Sequence, residues 1–181
     1  PGFIASLPMN NPDAAVEETH RAMRDLGAKG IQIFTNASGK PLDLPEFAPL
    51  FDAMTDYDMP IWVHPTRGME SSDYTSEDES LYEIWWTLGW PYDTSVFMAR
   101  MVFSGLFDRL LDIKIITHHM GAMIPFFEGR VGPSWDQIGK RTVKYDYAAL
   151  LDKHKKRPLD YFKMFYADTA TFGSAAATDC G

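Results

Sequence analysis

Cysteine is almost absent: one, Cys180, stands in 181 residues. That excludes a disulfide scaffold and a cysteine-based zinc finger. Basic residues are outnumbered, 17 Lys and Arg against 25 Asp and Glu, for a formal charge of −8 at pH 7. A nucleic-acid or anionic-membrane binder carries a clustered basic face, so neither partner is expected. No apolar run approaches the roughly 18–20 residues that a spanning helix needs. Also missing are GxGxxG after a strand, GxxxxGK[ST], GxSxG and HExxH, which removes the main support for nucleotide-dependent and serine-hydrolase chemistry. Pro1-Gly2-Phe3 opens on an apolar segment with no basic lead, so a targeting signal is not expected and a cytoplasmic location is. A chain opening on Pro also suggests a fragment or a processed piece.

Apolar residues make up 45% of the chain, with 12 Phe, 8 Tyr and 5 Trp. This is enough for a sizeable single core, and the aromatic share suits an enzyme pocket. Short apolar or β-branched runs occur at Gly2–Leu7, Gly30–Thr35, Pro60–Pro65, Ile113–His119 and Met164–Thr169. Nearly continuous apolar runs of this length read as strands buried on both faces of a parallel sheet. Helical stretches separate them: Asp13–Leu26, with Asn11 or Asp13 as cap and Gly27 as stop; Leu44–Asp56; and Thr94–Leu111. An α/β fold follows. An insert at 68–95 begins acidic and Ser-rich, then turns apolar over Ser80–Trp90, which predicts an extra covering helix. The basic run Lys153–Arg157 reads as a solvated face and turn, with His154 solvated within it.

In a (β/α) barrel the chemistry sits where strands end and lead into their helices. Four runs end on polar residues here: Thr35-Asn36, His64, His118-His119 and Asp168-Thr169. Imidazole is both a usual metal ligand and a general acid/base near neutral pH, so histidines ending two strands are candidates for one site. The plainer alternative is that each ring bonds only its own loop. Adjacent residues of a strand point to opposite faces. Lys114 shares parity with His118 and is easier to place at the outer margin, which favours His119 as the inward ring. Arg130 is read either as a bidentate clamp on a substrate carboxylate or as half of a surface Arg–Glu pair. Trp90 lines a pocket or packs the core. Asp168 ligates a metal, bonds a histidine, or caps a turn. His20 reads as structural.

Three strings in order resemble one family: Val63-His64-Pro65, then Leu88-Gly89-Trp90-Pro91-Tyr92-Asp93-Thr94, then Ile116-Thr117-His118-His119-Met120-Gly121 leading to Phe127-Glu128-Gly129-Arg130. They resemble the amidohydrolase-related branch of the amidohydrolase superfamily, which includes aminocarboxymuconate-semialdehyde and resorcylate decarboxylases. The resemblance implies a (β/α)8 TIM-type barrel, with Phe3–Leu7 as its third strand, Ile31–Thr35 its fourth and Phe165–Asp168 its seventh. It implies His64 as the metal ligand ending the fifth strand and His119 as the sixth-strand acid/base. It implies a divalent cofactor, zinc or else manganese, and a small carboxylate-bearing aromatic or unsaturated substrate, with Arg130 and Trp90 as substrate contacts. The family's first-strand H-x-H pair and its aspartate after the eighth strand have no counterpart here. Residues 1–181 are therefore expected to form one partial barrel domain, strands three to seven. Such a piece is expected to hold metal weakly or not at all and to show no turnover alone. Two functions compete: a metal-dependent hydrolase or carboxy-lyase, and an inactive open barrel whose unpaired edges drive self-association into a homo-oligomer.

Overall fold

The structure is a computed structural model describing residues 2–181. Strands β1 (Ala5–Ser6), β2 (Ile31–Phe34), β5 (Ile61–His64), β6 (Ile115–Thr117) and β7 (Tyr166–Ala167) form one parallel sheet, in that order. Sheet order follows chain order throughout, which is how a (β/α) barrel winds, and the five strands make an arc of one. β3 (Asn36–Ala37) and β4 (Lys40–Pro41) form a separate hairpin that the sequence reading did not include. Its turn, Ser38-Gly39, has φ of 51° and 80°, and Asn36 Oδ1 accepts the Gly39 N–H at 2.9 Å. Two left-handed central residues mark the turn type that suits a tight hairpin.

Register fixes the two faces. Ile31 lies opposite Ile61 and Ile61 opposite Ile115, while Gln32, Trp62 and Ile116 form the next row. Ile31, Ile33, Ile61, Val63, Ile115 and Thr117 are buried on the face that the helices cover. Gln32, Phe34, Trp62, His64 and Ile116 alternate with them and share the inner face.

The first two helices are α1 (Pro12–Arg24) and α2 (Ala48–Asp56), the latter preceded by a 3-10 turn at Pro45–Phe47. Asn11 caps α1 by accepting the Ala14 N–H at 3.2 Å. The buried stripe of α1 is Ala15, Thr19 and Ala22 rather than the larger Val16, Met23 and Leu26, so small residues let it lie close. His20 Nδ1 meets the Tyr57 hydroxyl at 2.8 Å and links the ends of α1 and α2, a structural role as expected.

The insert departs from expectation. The covering helix is one turn, α3 (Ile84–Thr87), and α4 (Gly89–Phe103) starts five residues earlier than the Thr94 predicted. α4 buries Thr94, Phe97, Met98, Met101 and Val102, a continuous i, i+3, i+4 stripe. Gly105, at φ 79°, breaks the predicted helix before α5 (Leu106–Arg109). Beyond β6 come α6 (Glu128–Trp135), α7 (Tyr147–Leu151), α8 (Pro158–Phe162) and, after β7, α9 (Ala175–Cys180). His154 is not solvated. Its Nδ1 lies 2.9 Å from the Leu150 carbonyl and its Nε2 3.0 Å from that of Val102, with the Tyr161 ring edge-on at 5.5 Å. The segment folds back onto the end of α4, so a histidine between lysines is drawn inward. No helix of the described residues is long and apolar enough to cross a membrane.

Candidate active site

The polar ends of β2, β5, β6 and β7 converge at one rim, and His64 is at its centre. The His64 ring stands 5.0 Å from that of His118, 6.0 Å from His119 and 5.1 Å from the Trp90 indole, centre to centre. Phe34, the register partner of His64, closes the other side edge-on at 6.1 Å. Phe34 is half exposed at this level of the inner face, and the sequence reading passed over it.

The two adjacent histidines do not follow the parity argument that favoured His119. The β6 ladder continues through His118, whose N–H reaches the Val63 carbonyl at 3.3 Å, so His118 shares the inner face with Ile116, Trp62 and His64. Lys114 misled the argument because its ammonium turns away to Asp58, at 2.6 Å. His119 reaches the same site by a different route. It has φ 61°, and Met120, Gly121 and Ala122 follow at 55°, 73° and 60°. This left-handed turn cancels the strand alternation and lays the His119 ring parallel to Trp90, 6.2 Å away at 14°. Non-glycine residues in that region cost roughly 1–3 kcal/mol each and persist where the surroundings hold them. Here Asp168 Oδ1 accepts the His119 N–H at 2.9 Å, and Ser95 Oγ accepts that of Met123 at 3.0 Å.

Each ring is fixed in the same tautomer. The Nδ1 of His64 lies 2.6 Å from the Pro65 carbonyl, that of His118 lies 2.7 Å from Asp168 Oδ2, and that of His119 lies 3.2 Å from the Ala170 carbonyl. An oxygen acceptor calls for an N–H, so each Nδ1 is the donor. The Nε2 atoms of His118 and His119 are buried with no protein partner. Burial pushes the His118 imidazole below its usual pKa; the Asp168 carboxylate opposes that shift, and His64 and His119 add to it. His118 is therefore neutral at pH 7, and its contact with Asp168 is a hydrogen bond rather than an ion pair.

Asp168 takes two of the roles left open for it: it bonds a histidine and caps a turn, accepting the Ala170 N–H at 3.0 Å as well. Trp90 lies in the first turn of α4 and donates its Nε1–H to the Arg67 carbonyl at 3.0 Å, with Trp85 and Trp86 packed behind it. Asp93, one turn farther on, accepts from the Thr35 hydroxyl and from the Thr66 N–H, so it ties the end of β2 to the loop after β5. Nothing in the sequence singled out that bridge. Arg130 is exposed on α6 and opens onto a groove shared with Tyr92, Val96, Met123, Phe127 and Arg141; none of the three histidines lines that groove.

The donor chemistry suits a divalent ion in part. Lone pairs at buried imidazole nitrogens, each with its other nitrogen bonded to an oxygen, are what metal-binding histidines present. Among the described residues, however, no group of three or more His, Cys, Asp or Glu is arranged to hold an ion. The described residues thus supply only part of a ligand set.

Proteins similar to this chain include several decarboxylases. A 2-amino-3-carboxymuconate-6-semialdehyde decarboxylase of Dictyostelium discoideum is 29% identical over 166 residues, covering 92% of this chain and 43% of its own. A gamma-resorcylate decarboxylase of Polaromonas sp. JS666 is 32% identical over 180 residues, covering 93% of this chain and 51% of its own. Among solved structures, a dihydroxybenzoic acid decarboxylase from the same Polaromonas strain, with bound manganese and the inhibitor 2-nitroresorcinol, superposes with a TM-score of 0.76 at 28% identity. That match covers 99% of this chain and 54% of the other. The metal in that relative is manganese, so the expectation of zinc finds no support there. The chain spans about half the length of these curated relatives. The Amidohydrolase family model matches residues 1–175, and the chain belongs to that family.

Proposed function

We propose that this chain carries part of the active site of a metal-dependent carboxy-lyase acting on a small aromatic carboxylate. The carrying observation is the rim of three imidazoles, each with Nδ1 bonded to an oxygen and Nε2 left free, beside an indole wall. Relatives named as decarboxylases of aminocarboxymuconate semialdehyde and gamma-resorcylate favour carboxyl loss over hydrolysis, and over an inactive self-associating fragment.

In this reading His64 holds a divalent ion through Nε2, and manganese is the ion of choice. A bound divalent ion supplies positive charge that stabilises negative charge developing on a substrate oxygen. Trp90 and Phe34 flank His64 on its two sides and offer the planar substrate ring an aromatic edge to pack against, since aromatic pairs favour edge and offset contacts at about 4.5–7 Å. The bond from ring carbon to carboxylate breaks, carbon dioxide leaves, and the electron pair stays on the ring carbon. His119 Nε2, having taken up a proton from solvent, delivers it to that carbon in place of the carboxylate, from a ring held by Trp90 and by the Ala170 carbonyl. Arg130, opening onto a different groove, holds no part of the substrate in this arrangement.

A substrate panel tests the reading. With manganese(II) present, a complete barrel carrying this chain is expected to release carbon dioxide from hydroxybenzoates and to leave lactones and amides intact, and residues 1–181 alone are expected to turn over neither. Hydrolysis of a lactone or amide, with no carbon dioxide from any aromatic acid, would overturn it.

A further inference from the structure

One peptide unit joins His64 to Asp93. Its carbonyl, that of Pro65, lies 2.6 Å from His64 Nδ1, and its N–H, that of Thr66, donates to Asp93 Oδ2 at 3.0 Å. The unit is trans and planar, so C=O and N–H point in opposite directions and turn together. Proline makes the coupling tight. The Pro65 ring holds φ near −65°, so ψ of Pro65 is the soft dihedral left to the plane. The strand side is held already, because the His64 carbonyl accepts the Thr35 N–H at 3.1 Å. Rotation about that one bond swings the carbonyl off Nδ1 and the N–H off Asp93 at once. Whatever holds the N–H therefore aims the carbonyl.

Asp93 is itself well placed to do so. It lies one turn after Trp90 on α4, and Trp90 donates Nε1–H to the Arg67 carbonyl at 3.0 Å, so one helix face grips Thr66 and Arg67 in succession. Gly89 permits that approach, since a Cβ there would meet Arg67 Cδ at 2.6 Å. The same Asp93 oxygen accepts the buried Thr35 hydroxyl, which anchors the carboxylate to the end of β2. In a neutral imidazole one nitrogen donates and the other accepts, and the bond made by one sets the role of the other.

We propose that Asp93 is a positioning residue for His64: by holding the Thr66 N–H it locks the Pro65–Thr66 peptide, and that peptide keeps His64 in the Nδ1–H form with Nε2 unprotonated. The proposal rests on the reading of His64 as a ring that acts through Nε2, and it names what readies that nitrogen. Both hydrogen bonds of Asp93 end on one oxygen, Oδ2, which separates its geometry from its charge. An asparagine with its amide oxygen in that place accepts both bonds and carries no charge.

Imidazole nitrogen-15 spectra of the full chain, labelled at histidine and recorded at pH about 8 where the rings are neutral, read the tautomer of His64 with no metal and no turnover. His64→Gln assigns its signals. Wild type is expected to carry the His64 proton on Nδ1, and Asp93→Asn to keep it there. Asp93→Ala should move most of it to Nε2 and speed exchange of the Thr66 amide about tenfold. Thr35→Val removes the other partner of the same oxygen; it should lower stability and leave the tautomer unchanged. Should Asp93→Ala fail to fold with the Thr35 hydroxyl stranded, the double variant Thr35→Val/Asp93→Ala removes donor and acceptor together, and the same tautomer change is expected. A proton that stays on Nδ1 without the Asp93 side chain, or that moves as far in Thr35→Val or Asp93→Asn, overturns the inference. So does a wild-type proton on Nε2. Manganese(II) uptake by a complete barrel carrying this chain judges the other reading separately: uptake unchanged by His64→Ala overturns His64 as the ion's ligand, while the spectra still decide the hold of Asp93 on its ring.

Discussion

Asp168 grips His118 at its side chain, Oδ2 to Nδ1 at 2.7 Å, while its other oxygen takes the backbone N–H of the very next residue. One carboxylate on the loop after β7 thus sets the ring of one histidine and the backbone of another. Asp168→Ala should destabilise the chain by about 1–3 kcal/mol, because it strands the His119 and Ala170 N–H groups along with His118 Nδ1. Denaturant unfolding measures this, and a change below a few tenths of a kcal/mol would contradict the arrangement.

The pH dependence of stability has a definite sign. Burial holds the folded His118 imidazole below its model value of 6.5, so the unfolded chain binds more protons wherever the two differ. Stability therefore rises with pH through that window, is full above about 6.5, and is lost as pH falls through the lower folded value. Melting curves from pH 7.5 down to about 5 should show this loss in wild type and a smaller one in His118→Gln. Equal slopes in the two proteins would exclude His118 as a source.

Asp93 joins two strand ends through Thr35 and the Thr66 N–H. Thr35 is buried, so Asp93→Ala leaves a buried hydroxyl with no acceptor at a cost of about 1–3 kcal/mol. Amide exchange should show the loss concentrated in the loops after β2 and β5. Protection unchanged there would mean that the bridge contributes nothing.

His154→Leu removes the contacts to the Leu150 and Val102 carbonyls that hold the segment after α7 against α4. The expected loss is about 1–2 kcal/mol of stability. Faster proteolysis is expected around residues 139–157, and proteolysis there unchanged from wild type would contradict the packing role of His154.

Much of the barrel arc was legible because buried parallel strands are short apolar runs, and Ile31–Phe34, Ile61–His64 and Ile115–Thr117 are such runs. The histidines at their ends were legible for the same reason: a polar residue closing an apolar run stands out. What failed depended on tertiary contact. Strand parity places His118 with Lys114 on the outer margin, but Lys114 lies on the inner side of the strand and bends its ammonium away to Asp58. The left-handed turn at His119–Ala122 holds three non-glycine residues, so no glycine pattern announced it. His154 looked solvated among its lysines, and only the fold of the segment onto α4 shows otherwise. Asp93 reads locally as a helix-entry residue, and its partners lie 58 and 27 residues away.

The most direct measurement follows an isotopically labelled carboxylate of a hydroxybenzoate such as gamma-resorcylate through incubation with the protein and manganese(II). Label is expected to leave as carbon dioxide with a complete barrel carrying this chain, and to stay on the ring with residues 1–181 alone and with the His64→Ala and His119→Ala variants of the complete barrel. Label retained by every aromatic acid tested, or released equally by the His64→Ala variant, would contradict the account.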